Sequence, residues 1–433
     1  MVCEAAHEAP AAGDVLARVH REEHSRLLAT LVRRFGDLEL AEDAAQEAME
    51  AALRTWPERG VPQQPLAWLI TTARRAALDR VRRDATYARR LAELHLRQRE
   101  QPAALQALEA PADVSLLTGE DLPDDRLAML MSCCHPALAP ADRIALMLRY
   151  VGALSTAEVA TALLVPVPTM AARLTRAKKR LRTHRIRLTV PEDPHERERR
   201  LPLVFTAISL VFTEGYAASS GDAPIRRELT GEAIRLARIV HRLVPTAAEP
   251  QGLLALLLLT EARSAAREDA DGVPIALEDQ DRGRWDRGGI VEGLALAEEA
   301  AGREDAGRFT VQAAIAAVHT EADHFEDTDW AQIVALYSLL LRHGEDPVVR
   351  MNQAIAVGRR DGPEAGLTLL EQLAGEPGLA RHHPYQVALA LFLTETGRVT
   401  EADRAWDRAH QLAGNSAERR FIERRRAAHW DDD

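Results

Sequence analysis

Cysteine is scarce in this 433-residue chain: there are three, and two of them are the neighbours Cys133 and Cys134. Such a set cannot build a disulfide framework, and a reducing compartment is expected. No stretch approaches the roughly 18 apolar residues of a membrane span, the longest candidate being Leu253 to Glu261. The opening MVCEAAHEAP lacks the basic, apolar and small-residue parts of an export signal, so the expectation is a cytoplasmic protein with no membrane partner. Gly-rich phosphate loops, a G-x-S-x-G elbow and an H-E-x-x-H helix are all missing, which argues against an enzyme and against a cofactor. Strand-like alternation is almost absent as well. Lysine occurs only as the pair Lys178 and Lys179.

The chain is nevertheless 46% hydrophobic and 28% charged, enough for real cores, and its length implies two to four domains. Its net charge of −11 is unevenly spread. Residues 1–191 hold 27 Lys and Arg against 24 Asp and Glu, whereas residues 192–433 hold 28 against 42. A half that carries −14 is no nucleic-acid binder, so any such surface belongs to the first half. There the positive charge is concentrated, with eight basic residues and no acid between Met170 and Arg187.

Helical periodicity dominates and predicts an all-α protein. The first helix is expected from about Asp14 to Arg34, and the second from about Glu39 to Thr55. A loop follows over Trp56 to Pro65, and a third, arginine-rich helix over Leu66 to about Arg90. Residues 92–125, with Pro102, Pro111 and Pro123, read as a linker. A compact helical set follows over 126–189, and Val190 to Arg200 forms a boundary. From 195 to 433 the chain reads as Ala- and Leu-rich helix pairs. GRRDGPEAGLTLLEQL and ETGRVTEADRAWDRAHQL match at Gly362/Gly397 and Ala365/Ala402, offsets of 35 and 37, near the 34-residue spacing of a tetratricopeptide-like repeat.

The strongest local signal is LSTAEVATALLVPVPTMAARLTRAKKRLRTHRIR, residues 154–187. Ser155 or Thr156 caps a short helix with Glu158 in its first turn, Val165 to Pro168 breaks it, and Thr169 to Arg187 forms a second helix. Arginines there surround an apolar stripe of Met170, Leu174, Ala177 and Leu181. In such a helix-turn-helix the start of the second helix enters the major groove and cations beyond it meet phosphates, which points to Thr169 and Arg173 for bases and Arg176, Lys178, Lys179 and Arg180 for phosphates. Three weaker patterns are set aside. His20 to His24 fits H-x-x-E-H but has no third metal ligand. Cys133-Cys134-His135 has no C-x-x-C partner and reads as packing beside a Pro136 turn. Asp269 to Glu278 resembles a calcium loop, yet Arg267 replaces the first ligand and Pro274 removes a loop hydrogen bond, leaving a tight turn.

Taken in order, these segments resemble a bacterial RNA polymerase sigma factor of the extracytoplasmic-function type, which keeps only regions 2 and 4. LAEDAAQEAMEAALRTW (Leu40 to Trp56) is similar to the region 2.2 helix, PLAWLITTARRAALDRVRRD (Pro65 to Asp84) to regions 2.3–2.4, and 154–187 to region 4. The resemblance implies region 2 over 13–91, region 4 over 126–189, and core RNA polymerase (the beta-prime clamp and the beta subunit) and promoter DNA as partners. On the region 2.2-like helix it implies clamp contacts from Glu42, Asp43, Gln46 and Glu47. On the region 2.3–2.4-like helix it implies −10 contacts from Trp68, Thr71, Thr72, Arg74, Arg75, Arg82 and Arg83, since an aromatic among arginines stacks on unpaired bases and holds phosphates. Arg75 stands where the family has an asparagine in its base pocket.

Four further segments, FTEGYAASSGD (Phe212 to Asp222), LEDQDRGRWD (Leu277 to Asp286), DTDWAQIVALY (Asp327 to Tyr337) and ERRFIERR (Glu418 to Arg425), are similar to the long C-terminal extension of a sigma subgroup with tetratricopeptide-like repeats. That likeness implies regulation by the extension and an intramolecular contact between it and the sigma domains. The alternative is a helix-turn-helix regulator with a repeat-built sensing domain. Such a regulator has no need of the acidic Leu40 to Trp56 helix beside the basic Trp68 to Arg83 one.

Overall fold

The computed structural model describes residues 12–97, 124–221 and 223–430, and among them every regular element is a helix, apart from one isolated bridge between Glu268 and Pro274. The described part of the chain forms two compact units. The first holds the described residues up to Ala153 together with Arg173–Val204, and the second holds Leu154–Ala172 together with the residues from Phe205 onward.

In the first unit, α1 (Ala12–Phe35), α2 (Leu38–Arg59) and α3 (Pro65–Arg97) pack on one another, and α4 (Asp125–Cys133) lies against α1. The α2 face is small and repetitive: Ala41, Ala44, Ala45, Ala48 and Ala52 are buried at helical spacing and end on the buried Trp56. Asp37 caps this helix through Leu40 N (3.0 Å). The loop expected from Trp56 begins later, because α2 runs on through Pro57 to Arg59. Burial of Trp56 holds that last turn, and Gly60, at φ +80°, closes it with its N–H on the Trp56 carbonyl (3.0 Å). Helix α3 likewise outruns its expected end, Arg90, reaching Arg97, while most of the expected linker lies outside the described residues. Helix α5 (Pro140–Tyr150) completes the set around Cys133 and Cys134. Both are buried free thiols, as packing residues should be; burial raises both pKa values, that of Cys134 to about 11.

Helix α6 (Thr156–Ala162) and α7 (Val167–Thr183) form the helix-turn-helix and meet at 106°. The second helix stops at Thr183 rather than Arg187: Arg185 turns to φ +49°, and the chain is drawn off along α1, where Leu188 N donates to the Gly36 carbonyl (2.9 Å). The expected boundary at Val190 to Arg200 is also half helical, because Asp193 and Pro194 start α8 (Pro194–Tyr216) with Asp193 accepting from His195 N (3.0 Å).

The second unit continues through α9 (Arg227–Leu243), α10 (Ala248–Glu261), α11 (Arg287–Ala301), α12 (Arg308–Glu321), α13 (Trp330–Leu341), α14 (Pro347–Asp361), α15 (Pro363–Gln372), α16 (His383–Glu395), α17 (Val399–Leu412) and α18 (Ser416–Trp430). The helices from α9 onward pack mostly on those one or two places away in the chain, α12 chiefly on α10, and the core is a succession of local clusters: one on α10 to α12, one on α12 to α14, one on α14 to α18. That is the energetic pattern of a stacked array. The two glycines that matched in sequence, Gly362 and Gly397, both sit at helix-to-helix turns with φ of +102° and +72°. Close approach of α14 and α15 depends on two more: a Cβ on Gly366 would lie 2.8 Å from the Gly358 Cα.

No single helix among the described residues is long and apolar enough to cross a membrane.

Candidate nucleic-acid interface

On α7 the stripe Met170, Leu174, Ala177 and Leu181 is buried, as its spacing predicts. Side chains opposite it must then face water. Thr169, Ala172, Arg176, Lys179 and Arg180 are all exposed. Arg173 and Lys178 differ, because they flank the stripe. Arg173 is half-buried and lies 3.8 Å from Asp142, and Lys178 is half-buried and paired with Glu42 at 3.2 Å. Of the two residues expected to read bases, Thr169 is free to do so, while Arg173 faces α5. The exposed face presents Arg176 in its place.

Region-2-like residues divide similarly. On α2, Gln46 and Glu47 are exposed, whereas Glu42 and Asp43 are half-buried and engaged: Glu42 with Lys178, and Asp43 with Arg80 at 2.6 Å. Glu42 also meets the Tyr150 hydroxyl, whose pKa is raised by burial first and then by this carboxylate. Of the four residues implied for the clamp, only Gln46 and Glu47 are therefore fully presented to solvent. Glu39, one turn earlier, pairs with Arg182 at 3.0 Å. On α3, Thr71, Arg74, Arg75, Arg82 and Arg83 are exposed, and Trp68 and Thr72 are half-buried. The Trp68 ring meets Trp56 edge-on at 5.6 Å, which fixes one side of the indole and leaves the other on the helix surface. Arg83 Nε donates to the Asp79 carbonyl (3.3 Å), and Arg82 lies 3.7 Å from the Asp79 carboxylate.

The cap expected at the start of α6 is present, and what the sequence did not show is the second set of partners that Glu158 gathers there. Ser155 and Glu158 form a reciprocal capping box: Ser155 Oγ accepts from Glu158 N (3.2 Å), and Ser155 N donates to Glu158 Oε2 (2.6 Å). The other carboxylate oxygen, Oε1, accepts from Ser220 Oγ (2.6 Å) and from Arg226 Nη1 (3.2 Å). Burial raises the pKa of Glu158, but these hydrogen bonds and the Arg226 charge outweigh it and leave it lowered. The loop that supplies Ser220 is gripped from its far side. Asn415 Nδ2 donates to the Ala218 carbonyl (2.9 Å), and Gly414 leaves room for the Ser219 backbone that any Cβ would strike. Glu214 closes the node by accepting from Ser219 N (2.8 Å), its pKa pushed up to about 7 by burial. The FTEGYAASSGD segment carried this in plain view, but only the fold shows that it faces Glu158.

The weaker patterns stay apart from these surfaces. His20 and His24 stack at 4.6 Å, and burial, with the neighbouring charges of His20 and Arg149, lowers His24 to about 4. Asp269 forms the tight turn, accepting from Asp271 N and Val273 N (both 2.9 Å).

Residues 19–87 match the Sigma-70 region 2 family, residues 128–181 match Sigma-70 region 4, and residues 200–301 match a family of unknown function, DUF6596. The chain is 42% identical over 395 residues, 91% of each chain, to the uncharacterized protein R00370 of Rhizobium meliloti (strain 1021). No solved structure matches. Regions 2 and 4 are the parts through which sigma factors bind core RNA polymerase and promoter DNA, and such factors initiate transcription without catalysing it. Both regions are present in that order, which supports a sigma factor of the extracytoplasmic-function-like type.

Proposed function

We propose that this sigma factor reads the −35 element with the exposed face of α7, Thr169, Ala172 and Arg176 toward the bases and Lys179 and Arg180 toward phosphates. It captures the −10 element with Trp68 and the arginines of α3, and docks on the polymerase clamp through Gln46 and Glu47, joined by Glu42 and Asp43. The observation that carries the reading is the face of α7: a run of cations with no acid, held outward by a buried apolar stripe, at 106° to a capped helix. The helix pairs of the extension are read as tetratricopeptide-like. Their role is regulatory and runs through Glu158, because Ser220 and Arg226 lie beyond region 4 in the chain and yet complete the cap of its helix-turn-helix.

In vitro transcription with core polymerase tests the reading. Lys179→Ala should weaken all promoters alike and flatten the salt dependence, and Glu47→Lys should weaken co-purification with core polymerase through repulsion. Unchanged polymerase binding by a folded Glu47→Lys chain would remove the clamp assignment. A Ser220→Ala, Arg226→Ala chain that transcribes normally would remove the regulatory one.

A further inference from the structure

Two of the segments singled out in the sequence and left without a role above, Leu277 to Asp286 and Asp327 to Tyr337, meet in the second unit beside the end of α12. Arg282 is fixed there through Nη1, which donates to the carbonyl oxygens of His319 (2.8 Å) and Ala322 (2.6 Å), and its guanidinium lies 4.6 Å from the centre of the Trp285 ring. The His319 ring stands edge-on to Trp330 at 5.4 Å, and Trp330 meets Phe325 in the same way at 5.4 Å.

What this cluster lacks is partners. Arg282 Nη2, Trp285 Nε1, His319 Nδ1, Thr328 Oγ1 and Gln280 Oε1 are all buried with no hydrogen-bond partner among the described residues. Buried polar groups are nearly always satisfied, and one left bare bears the full cost of its desolvation, the more so where it is charged. Five in one neighbourhood mark a place that a polar group fills. The sign of the local charge says which kind. Arg263, just past the end of α10, makes no side-chain hydrogen bond or ion pair to any described residue, yet its charge is felt by Arg282, His319 and Tyr337. Burial and then Arg263 hold Arg282 below its ordinary pKa. Burial, Arg263 and Arg282 press His319 down to about 4. Asp323, Glu326 and Asp327 are near enough to be felt by Arg282, but they are exposed and bond to none of these groups. Arg282 Nη2 and Trp285 Nε1 can only donate, His319 Nδ1 and Thr328 Oγ1 can donate, and Gln280 Oε1 alone can only accept, so donors and positive charge predominate while the nearby acids stay in water.

We propose that this cluster is a binding site for a small organic oxyanion, a carboxylate or phosphate received by Arg263, Arg282 Nη2 and His319 Nδ1, on an apolar body covered by the Trp285 and Trp330 rings. An anion there supplies the missing acceptor for the bare donors and relieves the repulsion between two partly buried arginines. The site is independent of the sigma reading, because binding is measured on the free protein without polymerase or DNA.

The test titrates the full chain with benzoate and with phenyl phosphate, against sodium chloride at equal ionic strength, reading tryptophan fluorescence and the thermal midpoint. At least one probe should give a saturable fluorescence change and raise the midpoint. The stronger of the two identifies the acid group. Arg263→Met should weaken binding about ten-fold or more. Without ligand it should leave the midpoint unchanged or higher, since no hydrogen bond is lost and one repulsion is removed. Arg282→Lys, which keeps the charge and loses Nη2, should weaken binding as well. The proposal is overturned if neither probe acts beyond chloride, if Arg263→Met binds as tightly as the parent, or if that substitution lowers the ligand-free midpoint and so shows Arg263 to be structural.

Discussion

Glu158→Ala should loosen the first helix of the helix-turn-helix, and the cost follows from its bonds. The side chain is 9% exposed and accepts from Ser155 N, Ser220 Oγ and Arg226 Nη1. Loss of a cap costs about 1 kcal/mol, and each charge-assisted bond contributes roughly 1.5–3 kcal/mol net. Against this, removing the carboxylate ends its own desolvation and its repulsion of Glu214, whose pKa it raises. A net loss of about 2–4 kcal/mol in urea unfolding of the full chain is expected. Arg226 also pairs with Glu228 at 3.0 Å, so Arg226→Ala alone confounds two contacts, and a double-mutant cycle separates them. Coupling of about 1–3 kcal/mol should appear between Glu158→Ala and Arg226→Ala, and again between Glu158→Ala and Ser220→Ala. Affinity for a −35 duplex should fall in Glu158→Ala although none of the exposed α7 side chains has changed. Coupling within about 0.5 kcal/mol of zero in both cycles would refute the reasoning.

Three further outcomes are expected. Glu214 titrates at about 7 when folded against an ordinary 4.5, so the stability of its protonated form is fully present below the lower value and lost as pH rises through the higher one. That loss is on the order of 3 kcal/mol, and Glu214→Gln should flatten the stability profile across this window in pH-resolved unfolding. In fluorescence anisotropy, Arg176→Ala should cost about 1–3 kcal/mol at the preferred −35 sequence and relax its preference, while Arg173→Ala, which gives up a half-buried contact with Asp142, should cost under about 1 kcal/mol. Gly366→Ala should destabilise by about 1–3 kcal/mol in thermal unfolding, because the added methyl meets the Gly358 Cα at 2.8 Å and the Phe392 ring at 2.8 Å, and α14 must shift.

The all-helical architecture was legible because periodicity and capping are local. Asp37, Ser155 and Asp193 start their helices through bonds to residues two or three positions ahead, which the sequence displays directly. Helix ends were less legible, since tertiary burial sets them: Trp56 carries α2 past Pro57, and the Leu188 to Gly36 bond ends the basic segment's helix early. The buried stripe of α7 was visible as Met170, Leu174, Ala177 and Leu181, and helical spacing alone already puts Arg173 and Lys178 on its flanks. Their partners, Asp142 and Glu42, lie 31 and 136 residues away and no local pattern announces them. The same holds for Glu158, whose second set of donors arrives from more than 60 residues downstream.

Those distant partners bear on how the first unit meets its ligands. Lys178 on Glu42 and Arg182 on Glu39 join the helix proposed for DNA to the helix proposed for polymerase, with side chains between 30% and 65% exposed. Pairs so exposed contribute about 0–1 kcal/mol each and weaken with salt. Firmer ties lie beside them, in the Leu188 to Gly36 backbone bond and in Asp125, which accepts from Thr30 (2.8 Å) and pairs with Arg33 (2.6 Å). Phosphates compete with Glu39 and Glu42 for the two cations, and a basic polymerase surface competes with the cations for the two acids. Each ligand therefore removes a competitor of the other, which makes their binding mutually favourable by linkage. Two weak pairs limit that coupling to about 2 kcal/mol, well short of the roughly 5.5 kcal/mol that a complete switch requires, so the contact biases binding without locking it. Glu39→Gln combined with Glu42→Gln should then raise the affinity of the free chain for duplex DNA at low salt, with the two chains converging at high salt. Equal affinity at every salt concentration would mean that Lys178 and Arg182 are not held back by these acids.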